Sequence, residues 1–321
     1  MSFDILQNKI LSLDKPNPTV FGLDARIEYV PAHIREESYK VYGKTLQGAV
    51  EAIYQFNMEL MDNLTDLIPA VKFQSAYFEN FGWEGMEVLR NLIEYGKNKG
   101  YFVITDVKRG DVPSTAEAYS EAWLGETKVT ADEDVEEDET PESFAAFNST
   151  CITLNPYMGM DTLEPFLETC KTHDRTAFIL VRTSNPGAAA IQDIITDNGL
   201  PLYSVIGKMV EDMSKGTEGE HGYTRFGAVV GATNPEQLQK LRKELPNTFF
   251  LVPGYGAQGG SAEDVQHAFH AGGQGAVVNS SRGLMCAWQK TGHNGEDFVE
   301  ATRSAATQMR ANIAKFINII G

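Results

Sequence analysis

Cysteine is scarce in this chain of 321 residues, which contains only Cys151, Cys170 and Cys286. An odd number of cysteines without metal-ligand spacing argues against a disulfide framework and against a cysteine-based metal site. We therefore expect three reduced thiols with structural roles, as is usual in a cytosolic protein.

Long apolar runs are also missing from the sequence. None approaches the roughly eighteen residues that a membrane-spanning helix requires. Residues 1–9 lack the basic stretch leading into an apolar one that marks a secretory signal. These two absences predict a cytoplasmic protein without a membrane partner.

Basic residues are fewer than acidic ones, with 27 Lys and Arg against 44 Asp and Glu and a net charge of −17, and the sequence contains no basic stripe. Without a basic stripe, neither nucleic acid nor an anionic membrane is expected as a partner. Residues 126–142 hold nine acidic residues and one lysine, a local charge of −8. We interpret this segment as a solvated surface insertion, with an acidic docking element as the alternative.

Glycine is sparse where a doubly wound open sheet would need it. The phosphate-binding fingerprint of that fold is a glycine-rich turn after the first strand. Here the first strand candidate ends in Gly22-Leu23-Asp24, with a single glycine. The dinucleotide-binding fold is therefore disfavoured.

The sequence does contain eight short apolar runs, and most are continuous, as in parallel strands covered on both faces. Segments with helical spacing lie between several of them. This α/β alternation predicts a single (β/α)8 TIM barrel domain over residues 1–321, with the acidic insertion 126–142 after the third βα unit and a second insertion at 24–45. The predicted strands are 19–23, 67–72, 101–106, 150–154, 176–182, 226–230, 248–252 and 275–279.

Charged side chains crowd the ends of the second and third predicted strands. Asp106 and Lys108 are two residues apart, so they share a face if the strand persists, and the turn at Gly110 brings Asp111 round. Lys72 can reach the same space from the neighbouring strand. Such a network would keep each lysine protonated and each aspartate ionised. It predicts a catalytic cluster, and a purely structural salt-bridge network is the alternative.

A phosphate site is predicted at the ends of the last two strands. Glycine-rich backbone at 254–260 follows strand seven, and Arg282 follows strand eight. Backbone N–H groups and a guanidinium at this place in a barrel commonly bind phosphate. Ordinary turn chemistry is the alternative for the glycines alone.

Five sequence blocks, in order along most of the chain, resemble the orotidine 5′-phosphate decarboxylase family, in the branch shared by some bacteria and Plasmodium-like parasites. The most specific block is 106–115, DVKRGDVPST. The others are 155–159 (NPYMG), 181–186 (VRTSNP), 230–232 (VGA) and 253–258 (PGYGAQ).

The resemblance implies decarboxylation of orotidine 5′-phosphate to UMP in de novo pyrimidine biosynthesis, without a cofactor or metal. Lys108 would deliver the proton to C6 of the pyrimidine. Asp111 and Thr115 would reach into the partner's site of a homodimer. The implied catalytic residues are Lys72, Asp106, Lys108 and Asp111, and the implied substrate-binding residues are Asp24, Thr115, Thr183, Ser184, Pro253, Gln258 and Arg282.

Individual substrate contacts also follow from the resemblance. Asp24 and Lys72 would bind the ribose hydroxyls. The pyrimidine would lie against Thr183, Ser184 and Pro253. The phosphate would be held by Gln258 and Arg282.

Two other functions remain open at this point. One is an Mg²⁺-dependent sugar-phosphate decarboxylase of the same barrel family, which would require a carboxylate where strand two supplies Lys72. The other is a non-catalytic phosphate-sugar-binding protein that docks a partner on residues 126–142.

Overall fold

The computed structural model describes residues 3–130, 142–256 and 259–319, and it contains a closed barrel of eight parallel strands. A separate two-stranded sheet, β4–β5, lies outside the barrel. The strands are β1 (Thr19–Leu23), β2 (Ala70–Gln74), β3 (Phe102–Arg109), β4 (Thr127–Lys128), β5 (Ser143–Phe144), β6 (Cys151–Leu154), β7 (Thr176–Arg182), β8 (Phe226–Val230), β9 (Phe250–Val252) and β10 (Ala276–Ser280).

The barrel order is β1-β10-β9-β8-β7-β6-β3-β2, and β2 closes it against β1. This arrangement confirms the predicted (β/α)8 barrel. The strands 19–23, 176–182 and 226–230 have their predicted bounds. The second strand begins at Ala70 rather than at 67, because Pro69 has no N–H to donate to a neighbouring strand.

Helices separate most barrel strands, and α2 is an additional helix within the predicted insertion 24–45. The helices are α1 (Asp4–Ser12), α2 (Ala32–Tyr42), α3 (Leu46–Asp62), α4 (Ser75–Glu79), α5 (Gly82–Asn98), α6 (Pro113–Trp123), α7 (Glu164–Thr172), α8 (Ala189–Gln192), α9 (Leu202–Met213), α10 (Pro235–Glu244), α11 (Ala262–Val265), α12 (Arg282–Met285) and α13 (Phe298–Ile313).

Aromatic side chains fill the amino-terminal end of the barrel, where the strands begin. Phe3 precedes α1 and is fully buried, with its ring 4.4 Å from that of Phe178 and 5.3 Å from that of Phe249. These contacts close the amino-terminal end of the barrel, so the opposite end provides the opening. The three cysteines are buried free thiols, as the sequence analysis predicted.

The acidic segment 126–142 begins shortly after α6, which belongs to the third βα unit. At its base β4 pairs antiparallel with β5, with Thr127 opposite Phe144. Residues 131–141 lie outside the described residues, so the predicted surface insertion stays a prediction. None of the described helices has the length and apolarity needed to cross a membrane.

Candidate active site

A cavity of about 320 Å³ opens at the carboxyl ends of the barrel strands. Every barrel strand, or the residue that follows it, contributes to its wall. This volume lies in the range of small-molecule sites. The lining residues are Asp24, Lys72, Gln74, Tyr77, Asp106, Lys108, Thr153, Leu180, Thr183, Ser184, Asn185, Val229, Leu251, Pro253, Asn279 and Ser281.

Asp106 is the centre of the polar cluster in this cavity. Its Oδ2 lies 3.0 Å from Lys72 Nζ and accepts a hydrogen bond of 2.9 Å from Gln74 Nε2. Its Oδ1 lies 2.6 Å from Lys108 Nζ and accepts a hydrogen bond of 2.7 Å from Thr153 Oγ1. Both carboxylate oxygens therefore have two donors each, which fixes the plane of the carboxylate.

Strand register explains how Lys72 and Gln74 reach Asp106. On the adjacent strands β2 and β3, Gln74 and Asp106 are direct register partners. Lys72 points to the same side as Gln74, because alternate residues of a strand share a face. Two side chains of β2 therefore meet one carboxylate of β3.

Lys108 meets Asp106 for a different reason from the one that the sequence suggested. The ladder between β3 and β6 shifts register between Thr105 and Arg109. Lys108 has a φ of +47°, a left-handed conformation that non-glycine residues rarely adopt, and its N–H donates to Thr153 Oγ1 at 2.9 Å. The ammonium of Lys108 is thus directed by a bulge rather than by regular strand alternation.

Burial and charge pull the pKa values of this cluster in opposite directions. Burial by itself would raise the pKa of Asp106, but Lys72, Lys108 and the hydrogen bonds from Lys108 and Thr153 hold it well below the usual range. Burial would lower the pKa of Lys72, and the charges of Asp106 and Asp24 raise it above its ordinary value. The expectation of ionised aspartate and protonated lysine therefore holds for this pair.

Asp24 lies beside this cluster at the end of β1. Burial raises its pKa, with Lys72 and a hydrogen bond from Ser281 acting against that rise. The approach of Ser281 depends on Gly22, since a Cβ at that position would lie 1.9 Å from Ser281 Oγ. Among the described residues, no three His, Cys, Asp or Glu side chains are grouped so that they could hold a metal ion.

The structure does not bring Asp111 or Thr115 into this cluster within one chain. Asp111 Oδ1 accepts a hydrogen bond of 2.8 Å from the N–H of Val112, and Thr115 is exposed in the first turn of α6. Neither belongs to the described lining of the cavity. Their predicted role in a partner's site stays a prediction.

A second cavity of about 330 Å³ adjoins the first and shares Asp24, Pro253 and Ser281 with it. Arg282, at the start of α12, and Gly254 lie in its wall. The two predicted elements of the phosphate site thus contribute to one cavity next to the Lys–Asp cluster. Gln258 lies outside the described residues.

Several residues that bind Asp106 or line the cavities were not predicted from the sequence to have a role. Gln74 and Thr153 bind Asp106 directly. Tyr77, Asn279 and Ser281 line both cavities. Strand alternation could have identified Gln74 once Lys72 faced the opening, and Thr153 one residue before the end of β6.

The sequence of this chain is similar to those of known proteins. The sequence model of the Orotidine 5′-phosphate decarboxylase / HUMPS family matches residues 50–291. An orotidine 5′-phosphate decarboxylase from Rhodopirellula baltica is 40% identical over 299 residues, which cover 92% of this chain and 93% of that protein. One from Clostridium kluyveri is 38% identical over 305 residues and 95% of both chains.

A solved structure of UMP synthase from Leishmania donovani is also similar to this chain. The TM-score is 0.72 at 30% sequence identity, and the match covers 98% of this chain. The same match covers 57% of that longer protein. The similarity in both sequence and fold therefore extends over nearly the whole of this chain.

Proposed function

The chain belongs to the Orotidine 5′-phosphate decarboxylase / HUMPS family, and we propose that Lys108 protonates C6 of the pyrimidine as CO2 leaves. The reaction converts orotidine 5′-phosphate to UMP, a step of pyrimidine biosynthesis. The observation that carries the proposal is Asp106 held between the ammonium groups of Lys72 and Lys108 in the wall of the cavity.

The chemical problem is the electron pair that the departing carboxylate leaves at C6. When the C6–CO2 bond breaks, this pair occupies an sp² orbital that the ring delocalises poorly. The Lys108 ammonium donates its proton to that pair, which forms the C6–H bond of UMP and leaves a neutral amine. The Lys108 side chain is 45% exposed, so solvent can return the proton before the next turnover.

Electrostatic stabilisation supports this proton transfer. Two unit charges 4 Å apart interact by about 4 kcal/mol at an effective dielectric constant near 20. One lysine therefore supplies only part of the acceleration, and the cluster must be held in position before the reaction begins. The four hydrogen bonds to Asp106 hold it in this way, and the negative charge of Asp106 disfavours the substrate carboxylate relative to the CO2 that leaves.

The rest of the nucleotide supplies binding energy. Arg282 and Gln258 are proposed to hold the phosphate, because a guanidinium forms strong charge-assisted bonds to phosphate. Asp24 and Lys72 are proposed to bind the ribose hydroxyls, with the pyrimidine against Thr183, Ser184 and Pro253. The phosphate lies far from C6, but its binding energy can then close and order the part of the site in which the reaction occurs.

The assembly and location of the protein are also proposals. We propose a cytoplasmic homodimer in which Asp111 and Thr115 of one protomer complete the active site of the other. The position of Thr115 on an exposed turn of α6 supports this proposal. We also propose one barrel domain over residues 1–321, with 126–142 as its acidic surface insertion.

Ultraviolet spectroscopy of the purified chain with orotidine 5′-phosphate tests the function. We expect loss of substrate absorbance, with UMP and CO2 as products, at the same rate with and without a chelator. Activity lost with the chelator and restored by Mg²⁺ would favour the metal-dependent alternative. Binding of the nucleotide without turnover would favour the non-catalytic alternative.

The acidic limb of the pH profile should report Asp24 rather than Asp106. The pKa of Asp24 is raised from its ordinary 3.8 and that of Asp106 is lowered, so falling pH protonates Asp24 first. Protonated Asp24 can no longer accept hydrogen bonds from the ribose through both oxygens, so kcat/KM should fall. We expect Asp24→Asn to lower kcat/KM about 10-fold or more at neutral pH and to remove this limb.

The measurement for Asp24 is kcat/KM from about pH 4 to pH 8. Protonation of the substrate phosphate near pH 6 gives a separate limb that should persist in the variant. Asp14→Asn is the matched control, because Asp14 is an exposed carboxylate on the loop before β1. An Asp24→Asn profile with an unchanged lower limb would remove Asp24 from this role.

A further inference from the structure

Thr183, the first residue after β7, is bonded through its backbone and its side chain to neighbours outside the cavity. Its N–H donates to Gln192 Oε1 at 2.9 Å, and Gln192 Nε2 donates to Thr183 Oγ1 at 2.9 Å. Arg182 Nη1 donates to the carbonyl of Thr183 at 2.7 Å. One glutamine side chain thus contacts both the amide and the hydroxyl of a residue in the cavity wall.

The orientation of the Gln192 amide follows from its donors. The N–H of Thr183 and Nη1 of Arg182, the latter at 3.4 Å, both approach the same amide atom. Neither group can accept a hydrogen bond, so this atom must be the carbonyl oxygen. The NH2 group of Gln192 therefore faces the hydroxyl of Thr183.

This orientation determines how the Thr183 hydroxyl can be used. Because it accepts a hydrogen bond from Gln192, its own proton is directed elsewhere, and it donates to Asn185 Oδ1 at 2.7 Å. Thr183 and Asn185 both line the cavity. The hydroxyl is therefore presented along the cavity wall as a hydrogen-bond donor, and an oxygen of a bound ligand would replace Asn185 Oδ1 as its acceptor.

An ion pair with one buried partner holds Gln192 in place. Arg182 is only 4% exposed, and its Nε lies 3.0 Å from Oδ1 of Asp193, the residue after Gln192. Arg182, the last residue of β7, is thereby paired with Asp193, the residue that follows α8. Gln192 itself does not belong to the described lining of the cavity.

We propose that Gln192 is a positioning residue that holds the Thr183 hydroxyl as a donor to a carbonyl oxygen of the bound pyrimidine. This inference rests on the proposed function, in which Thr183 contacts the pyrimidine. The ring presents two carbonyl oxygens as acceptors and one N–H as a donor. A hydroxyl held as a donor selects an acceptor, so Gln192 contributes to base recognition from outside the cavity.

The variant Gln192→Glu tests the polarity of this contact with almost no change of shape. The new carboxylate still accepts from the N–H of Thr183 and from Arg182, but it cannot donate to the hydroxyl. The Thr183 hydroxyl then donates to the carboxylate and is lost to the substrate. We expect KM for orotidine 5′-phosphate to rise about 10- to 100-fold, with kcat nearly unchanged and a thermal midpoint close to that of the wild type.

Thr183→Val provides the background that separates positioning from general structural support. Valine keeps the branched shape and the backbone N–H but has no hydroxyl. If Gln192 acts through the hydroxyl, Gln192→Glu adds little to the KM of Thr183→Val, so the double variant resembles Thr183→Val alone. Gln192→Ala removes the backbone contact as well and should also lower the thermal midpoint.

The outcomes separate this inference from the proposed function. A wild-type chain without turnover of orotidine 5′-phosphate overturns both. Normal wild-type turnover with an unchanged KM in Gln192→Glu overturns the inference alone, as do fully additive effects of Gln192→Glu and Thr183→Val. The inference is supported if Gln192→Glu raises KM in the wild-type background but adds little to KM in the Thr183→Val background.

Discussion

Replacing Asp106 with asparagine is expected to lower the free energy of unfolding by about 3–5 kcal/mol and to abolish turnover. The Lys72 side chain is 7% exposed and that of Asp106 is 11% exposed, so the variant leaves an ammonium buried without its main partner. A buried charge without compensation costs far more than the loss of a surface ion pair. Urea unfolding of the wild type and the variant measures this difference.

A double variant tests whether the unpaired lysine causes the instability. Asp106→Asn combined with Lys72→Met removes both charges, so it should recover much of the lost stability without recovering activity. Glu79→Gln is the matched control. The Glu79 side chain is 43% exposed, so its ion pair with Arg109 should contribute at most about 1 kcal/mol to stability. Asp106→Asn with wild-type stability would contradict the account of a charge-paired core.

The barrel could be predicted from the sequence because parallel strands covered on both faces are encoded as short continuous apolar runs. The run 176–182 has the observed bounds of β7. The charged cluster could also be predicted, since Lys72 and Asp106 lie near the carboxyl ends of adjacent strands, where a barrel places its active site. The positions of apolar runs and charged residues along the chain were sufficient for both conclusions.

Other parts of the site depend on geometry that composition does not encode. The left-handed backbone at Lys108 coincides with the register shift between β3 and β6, and no glycine or proline at positions 105–109 marks it in the sequence. Gln192 is nine residues from Thr183 in the sequence, and only the path of the chain through α8 brings the two together. The proposed role of Asp111 depends on a second chain, so one sequence alone cannot place it.

Lys108→Ala should reduce kcat by at least about 1,000-fold, because it removes both the proposed general acid and a charge that stabilises the carbanion. The variant should remain folded. The Lys108 side chain is 45% exposed, and its loss leaves Asp106 paired with Lys72. Steady-state turnover of orotidine 5′-phosphate measures the effect. Lys208→Ala is the matched control, since Lys208 is an exposed lysine on α9 whose ion pair with Asp212 is 3.6 Å long.

The most direct measurement is kcat of Lys108→Ala determined on the same preparation as its affinity for UMP. We predict that turnover is almost completely lost while the UMP dissociation constant stays within about 10-fold of the wild-type value, because binding of the product requires no proton transfer. Turnover close to that of the wild type in a folded variant that binds UMP would contradict it. In that case Lys108 would not be the residue that protonates C6.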